Sequence, residues 1–422
     1  MFKPTLVQEK LIENFREGMK LGVILAETSD TQMNGREIEV AGRKLVSFAS
    51  CSYLGLELDE RLIEGSVAAV RKYGTNFSTS RAYLQMGLYS ELEERFEKIF
   101  GAPCLIGATT TLCHLSVFPS LITKRDAIII DRQGHNSLQD AVTAMVGRKT
   151  HREIVDHNNM SQLRERIEKL SAKYDKVWYV ADGVYSIYGD VAAFSHVYQL
   201  LEDFPKLIAY IDDAHGMGWA GKHGRGIALD KMGHHERLIL ATSLGKSLAV
   251  GGGAMVFPDQ QTKELVRYTG KSLMFGGPLT PGQLGGALAV SEILLSDEIT
   301  IIQNDLKERC AFFLKQAKAS NLEIIDRSLT PIFYVAIGDV EILIEIAALL
   351  QQNHSLFVTP TGFPAVAKDQ CGLRITITRN HKFEEISKLV LAISEEYDAA
   401  LLRRGKTRTE FSANFIELPH YA

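Results

Sequence analysis

The sequence predicts an α/β fold in which a mostly parallel sheet is covered by helices on both faces, followed by a smaller α+β domain. Two observations carry this. First, short apolar runs (CLIG at Cys104, AIIID at Ala127, VWYVAD at Val177, LIAYID at Leu207, LILAT at Leu238 and AMVF at Ala254) are separated by spacers long enough for a helix. Continuous apolar strands belong to sheets buried on both faces, and parallel neighbours need crossovers of a dozen or more residues. Second, after about Pro281 the pattern changes to a long helical segment through Lys307 and Lys315. Strand candidates LEIID, IFYVAI and LRITIT then follow, among helical stretches near Ile344 and Ile386.

Taken in chain order, the spacing of apolar residues from Leu6 to about Leu25 predicts a helix, and VSFASCSYLGL reads as a strand followed by a turn. The helix and the polar stretch after it make an N-terminal helical arm over 1–45. A helix through SELEERFEKIF leads into the run of strands, so the large domain is expected over 46–290 and the small one over 291–400. The last stretch, 401–422, has no clear period and reads as a tail. No internal repeat or low-complexity segment interrupts this plan.

With 422 residues, 45% hydrophobic and 23% charged, the chain can bury a large core. A formal net charge of −4 without a long basic run gives no footprint for nucleic acid or an anionic membrane surface. No segment approaches the roughly 20 apolar residues of a membrane span. The five cysteines are scattered, with no CxxC-like pairing, which points to reduced thiols in a cytoplasm and to no metal site. Small molecules are the expected partners.

Sheets of this type carry ligands at the carboxyl ends of their strands. Three such ends supply a coherent set: His135 with Ser137 in DRQGHNS, Asp212 with His215 in IDDAHGMGWAGKHGRG, and Lys246 in TSLGKSLAVGGG. Asp212 and Lys246 stand 34 residues apart, about one crossover, so both can sit on neighbouring strands. An amine that can form a Schiff base and an acid that can pair with a pyridinium nitrogen are what pyridoxal 5′-phosphate (PLP) needs. A lone lysine on a glycine-flanked turn is ordinarily a solvated residue, and a lone aspartate there is often a helix cap. Their pairing changes that reading. Phosphate favours backbone N–H groups at a helix start. Thr110 and Thr111 in GATTTLCHLSVF are placed to offer amides and hydroxyls, and Ser243 is a further hydroxyl.

With these residues in view, the chain resembles the α-oxoamine synthases over roughly 45–395. These are fold-type-I PLP enzymes with a seven-stranded sheet, among them 8-amino-7-oxononanoate synthase, 2-amino-3-ketobutyrate ligase and serine palmitoyltransferase. The family segment VDEAHSxGxxGxxGRG reads IDDAHGMGWAGKHGRG here, and TxGKxxGxxGG reads SLGKSLAVGGG. GTNFSTSR around Ser80 and Arg81, DGVYSIYGD around Ser186 and LRITITRNH around Arg374 are further family-like segments. The resemblance implies that His135 stacks on the cofactor ring and that Asp212 pairs with its nitrogen. Ser186 and His215 would lie near its phenolic oxygen, Arg374 and Ser80 would bind substrate, and Lys246 would serve as base.

The implied activity is condensation of a small α-amino acid with an acyl thioester, carried by coenzyme A or an acyl carrier protein. An α-aminoketone, carbon dioxide and free thiol would be released by a homodimer with its active site at the interface. The sequence departs from the family at Thr109-Thr110-Thr111, where a Ser-Gly-aromatic turn is usual. It departs again at Gly276-Gly277, where Ser-Thr is usual, and at Tyr89, where many members have histidine. An aminotransferase or lyase of the same fold, and a non-catalytic binding protein on this scaffold, remain the alternatives.

Overall fold

The computed structural model of the chain describes residues 3–412 and 415. They fall into two compact units: one formed by Leu54–Ser186 with Asp190–Asn304, the other by the described residues up to Tyr53, Ile187–Gly189 and those from Asp305 onward.

The first unit is built on a seven-stranded sheet in the spatial order Cys104–Gly107, Gly253–Val256, Leu238–Ser243, Leu207–Asp212, Val177–Asp182, Ala127–Asp131, His151–Val155. Every neighbouring pair from Leu238–Ser243 to His151–Val155 is parallel. Gly253–Val256 runs antiparallel to both of its neighbours. The central strands are buried at every residue or nearly so, as their unbroken apolar runs require. Leu105, Val117, Phe118, Ile130, Trp178 and Met255 belong to the core formed where helices cover the sheet. Register sets the functional edge: Asp182 pairs with Asp212, and Asp212 with Ala241, so these strands end level with one another.

One strand escaped the sequence reading. His151–Val155 reads HREIV, without an apolar run, because it is the edge strand and only Val155 is fully buried. An edge strand has one exposed flank and tolerates charge there.

The second unit holds a three-stranded antiparallel sheet with Gly372–Thr376 between Ile332–Ala336 and Thr359–Thr361, and the helices Val340–His354 and Phe383–Arg403. A second small sheet pairs the hairpin Glu37–Val40 and Arg43–Ser47 with Leu356–Phe357. The first helix of the chain spans Leu6–Lys20. LEIID, expected as a strand, contributes a single bridge from Ile324 to Val335. Asp326 turns the chain there by accepting the Ser328 N–H at 2.7 Å. The expected tail begins inside the helix Phe383–Arg403, and its residues 413–414 and 416–422 lie outside the described residues. Among the described residues no helix is long and apolar enough to cross a membrane.

Candidate active site

At the level carboxyl edge of the large sheet a cavity of about 310 Å³ is lined by Thr110, Thr111, His135, Asp212, His215, Ser243 and Lys246, together with Asp182. These seven residues singled out from the sequence, with Ser137, therefore surround one space.

Asp212 ends its strand and is buried. One carboxylate oxygen accepts the Ala214 N–H at 3.0 Å, and the other meets His114 Nε2 at 2.9 Å. Burial by itself raises the pKa of a carboxyl, but His114, the Lys246 charge and the Ala214 amide together hold Asp212 below the ordinary carboxylate range. Asp182 beside it goes the other way: burial and the Asp212 charge push it well above that range, despite the His135 N–H it accepts at 3.3 Å. Of two adjacent buried acids, Asp212 is thus favoured in its charged form and Asp182 in its neutral one.

His135 caps the helix Asn136–Gly147, its Nδ1 accepting the Ser137 N–H at 3.2 Å and lying 2.8 Å from Ser137 Oγ. Because Nδ1 accepts from an amide, the ring proton belongs on Nε2. Burial, with Lys246 and His114 nearby, lowers its pKa in spite of Asp212, so the ring is neutral.

The helix Thr110–Leu121 begins at the cavity, and Thr109 caps it by accepting the Leu112 N–H at 3.1 Å. The first amides of a helix have no intrahelical acceptor, so those of Thr110 and Thr111 form an anion cradle. The hydroxyls fare differently. Thr110 Oγ1 donates to the Thr242 carbonyl at 3.1 Å, so its single proton is committed and only its amide can serve an anion. The glycine this cradle needs comes from the facing strand: a Cβ on Gly253 would stand 2.7 Å from the Thr110 nitrogen. Ser243 Oγ accepts the Gly245 N–H at 3.1 Å and keeps its own proton to give.

Two expected residues of this unit are not among the lining side chains. Ser80 donates to the Met274 carbonyl at 2.8 Å, tying its loop to the short helix Lys271–Phe275, and Ser186 is half-buried at the end of its segment. Arg374 belongs to the second unit, in the middle strand of its sheet. Leu373, Arg374 and Ile375 are all buried, so exposure does not distinguish the two faces of this strand. Burial opposes the guanidinium charge, yet Tyr53 and Cys51, whose Sγ lies 3.7 Å away, more than offset it.

The departures at Tyr89 and Gly276-Gly277 have a local cause. Tyr89 lies under the Arg81 guanidinium, 3.8 Å from ring centroid to charge, and its hydroxyl accepts the Leu279 N–H at 2.6 Å. Gly277 sits at φ +87°, and a side chain on Gly276 would overlap the Ser272 carbonyl. Ser-Thr does not suit this turn: the first position lacks space and the second has a backbone conformation that favours glycine.

His114 and Asp182 were not singled out from the sequence. The available signal for His114 was a histidine that shares an otherwise apolar run, Leu112 to Phe118, with Ser116, a position that also suits a satisfied core histidine.

Comparison with known proteins agrees with this geometry. The model of the aminotransferase class I and II family matches residues 43–393. A serine palmitoyltransferase of Sphingobacterium spiritivorum is 27% identical over 360 residues, covering 84% of this chain and 87% of that protein. An 8-amino-7-oxononanoate synthase of Alkaliphilus metalliredigens is 28% identical, covering 85% and 89%. A solved serine palmitoyltransferase carrying PLP superposes with a TM-score of 0.85 at 20% identity, over 94% of this chain and 99% of that one.

Proposed function

The chain belongs to the aminotransferase class I and II family, and from that premise we propose that it is a PLP-dependent α-oxoamine synthase. It condenses an α-amino acid with an acyl thioester to give an α-aminoketone, carbon dioxide and free thiol. The observation that carries this is the cavity itself. It offers an amine at Lys246, an ionised buried carboxylate at Asp212 and a helix-start amide cradle at Thr110 and Thr111, one group each for the aldehyde, ring nitrogen and phosphate of PLP. The donor set fits the cofactor.

PLP, when bound, supplies an electron sink for the charge left at the substrate Cα. Around it the chain's own groups divide the work. Asp212 keeps a proton on the ring nitrogen, because a buried carboxylate stabilises a cation beside it. The neutral His135 covers the ring without adding charge, and His215 and Ser186 serve the phenolic oxygen. Lys246 takes the proton from Cα and returns it. Arg374 holds the substrate carboxylate, its planar fork giving two parallel bonds, and Ser80 supports substrate binding through the loop it ties to Met274. We place the enzyme in the cytoplasm as a homodimer, with coenzyme A or an acyl carrier protein as thiol carrier.

The test is borohydride reduction of the PLP-loaded protein followed by peptide mass spectrometry, with parallel assays of thiol release from acyl-CoAs. Cofactor fixed on Lys246, and thiol release that requires an amino acid, are expected. Cofactor on Lys246 with amino-group exchange and no thiol release would instead make the protein an aminotransferase.

A further inference from the structure

Building on the PLP reading of the cavity, we infer that His114 is a positioning residue. Backed by Tyr210, it fixes the charge and orientation of Asp212, and through Asp212 the protonation of the ring nitrogen that Asp212 meets. Nothing in the motifs of the chain marks His114, and the argument is geometric. Thr110, His114 and Phe118 are spaced four apart on the helix Thr110–Leu121 and so share one face. Each meets the strand ends. Thr110 bonds the Thr242 carbonyl, His114 bonds Asp212, and Phe118 packs edge-on against Tyr210 with ring centroids 4.8 Å apart. The helix that presents its first amides to the cavity thus also carries the group that holds the acid on the other side.

His114 is fully buried, with Nε2 at 2.9 Å from Asp212 Oδ2 and Nδ1 at 2.8 Å from the Tyr210 hydroxyl. One distribution of protons satisfies all three groups. The Tyr210 O–H donates to Nδ1, which leaves the ring proton on Nε2 to donate to the Asp212 carboxylate. Burial, Cys113 and Asp212 push Tyr210 far above its ordinary range, so it keeps the proton it must give. With the Ala214 N–H on its other oxygen, Asp212 is held from two directions and cannot rotate to share its charge with Asp182.

The experiment follows histidine ¹⁵N resonances in the full chain before PLP is added, the His114 signal being assigned by its loss in His114→Asn. Wild type should show the tautomer protonated on Nε2, and Tyr210→Phe and Asp212→Asn should each redistribute the proton. A ring protonated on Nδ1 alone, or a tautomer unmoved by both substitutions, overturns the inference. PLP is then titrated by visible absorbance. Loss of a charge-assisted bond in His114→Phe should weaken affinity on the order of tenfold, and Tyr210→Phe about threefold. Equal affinities in all three proteins would likewise overturn it. Failure of the wild type to take up PLP would sink the reading of the cavity while leaving the tautomer result standing.

Discussion

In the large unit His114, fully buried, and His157, half-buried, are each bonded at both ring nitrogens, and they differ in one partner. His114 faces Asp212 on one side and the Tyr210 phenol on the other. His157 faces two carboxylates, Asp131 at 3.0 Å and Asp190 at 2.7 Å. Burial disfavours the charged form of His157, yet the two carboxylates overwhelm it and raise its pKa to about 10. His157 is therefore a cation clamped between acids. It ties the strand end that leads to His135 to the segment that begins at Asp190, and Tyr185 lies edge-on against its ring at 4.3 Å. With a phenol in place of the second carboxylate, as at His114, the same side chain bonds a single acid and holds that acid in place. The chemistry of a buried histidine is thus decided by what its second nitrogen meets.

The largest effect that separates the two sites should come from their removal. His157→Ala leaves Asp131 and Asp190 buried without their cation and is expected to destabilise the protein by about 3–5 kcal/mol in urea unfolding. Removing His114 leaves one acid still bonded to an amide, and His114→Phe should lose less, about 1–3 kcal/mol. A reversed order would end the distinction.

The next effect is a pH window. Because the folded value of His157 lies near 10, above an unfolded value of about 6.5, its contribution is fully present below about pH 6.5. It is lost as pH rises through 10. Thermal unfolding of wild type should fall across that window, and His157→Gln should flatten the fall.

Asp213 sharpens the comparison from the acid side. It is buried against Gly183, Gly216 and Gly226, at each of which a Cβ would overlap its carboxyl. Gly216 stands where the family pattern has serine, and Asp213 where it has glutamate. The shorter acid and the missing side chain are two halves of one packing change. Asp213 Oδ2 accepts the Ala228 N–H at 3.0 Å, while burial and Asp212 raise its pKa to about 8. The folded chain keeps a proton that the unfolded chain releases near pH 4, so stability falls as pH rises from about 4 to about 8. Asp213→Asn should match wild type near pH 4 and melt higher at pH 8. Equal melting at both values would show that the carboxyl is already ionised in the fold.

The smallest effect is expected at Tyr210, where Tyr210→Phe removes one neutral hydrogen bond and keeps the ring packed on Phe118. A loss of about 0.5–1.5 kcal/mol in urea unfolding is expected. A loss as large as that of His157→Ala would mean that the phenol carries structural weight of its own.

The sequence by itself determined the sheet class, because strands buried on both faces must be written as unbroken apolar runs, and it named Lys246, Asp212, His135, His215, Ser243, Thr110 and Thr111. Each of these follows a strand run at the edge where such sheets bind ligands. It could not read His151–Val155, whose edge position removes the need for an apolar run. Nor could it separate His114 from an ordinary core histidine, since a hydrogen bond between residues 98 positions apart leaves no local pattern. Tertiary structure alone decided that Asp182 stands beside Asp212 and is pushed the opposite way by burial and its neighbour's charge, that the Thr110 hydroxyl is turned to Thr242, and that Asp213 is folded among glycines. These depend on strand register and on distances of a few ångströms between distant segments, and charge and hydrogen bonding act over those distances, not along the chain.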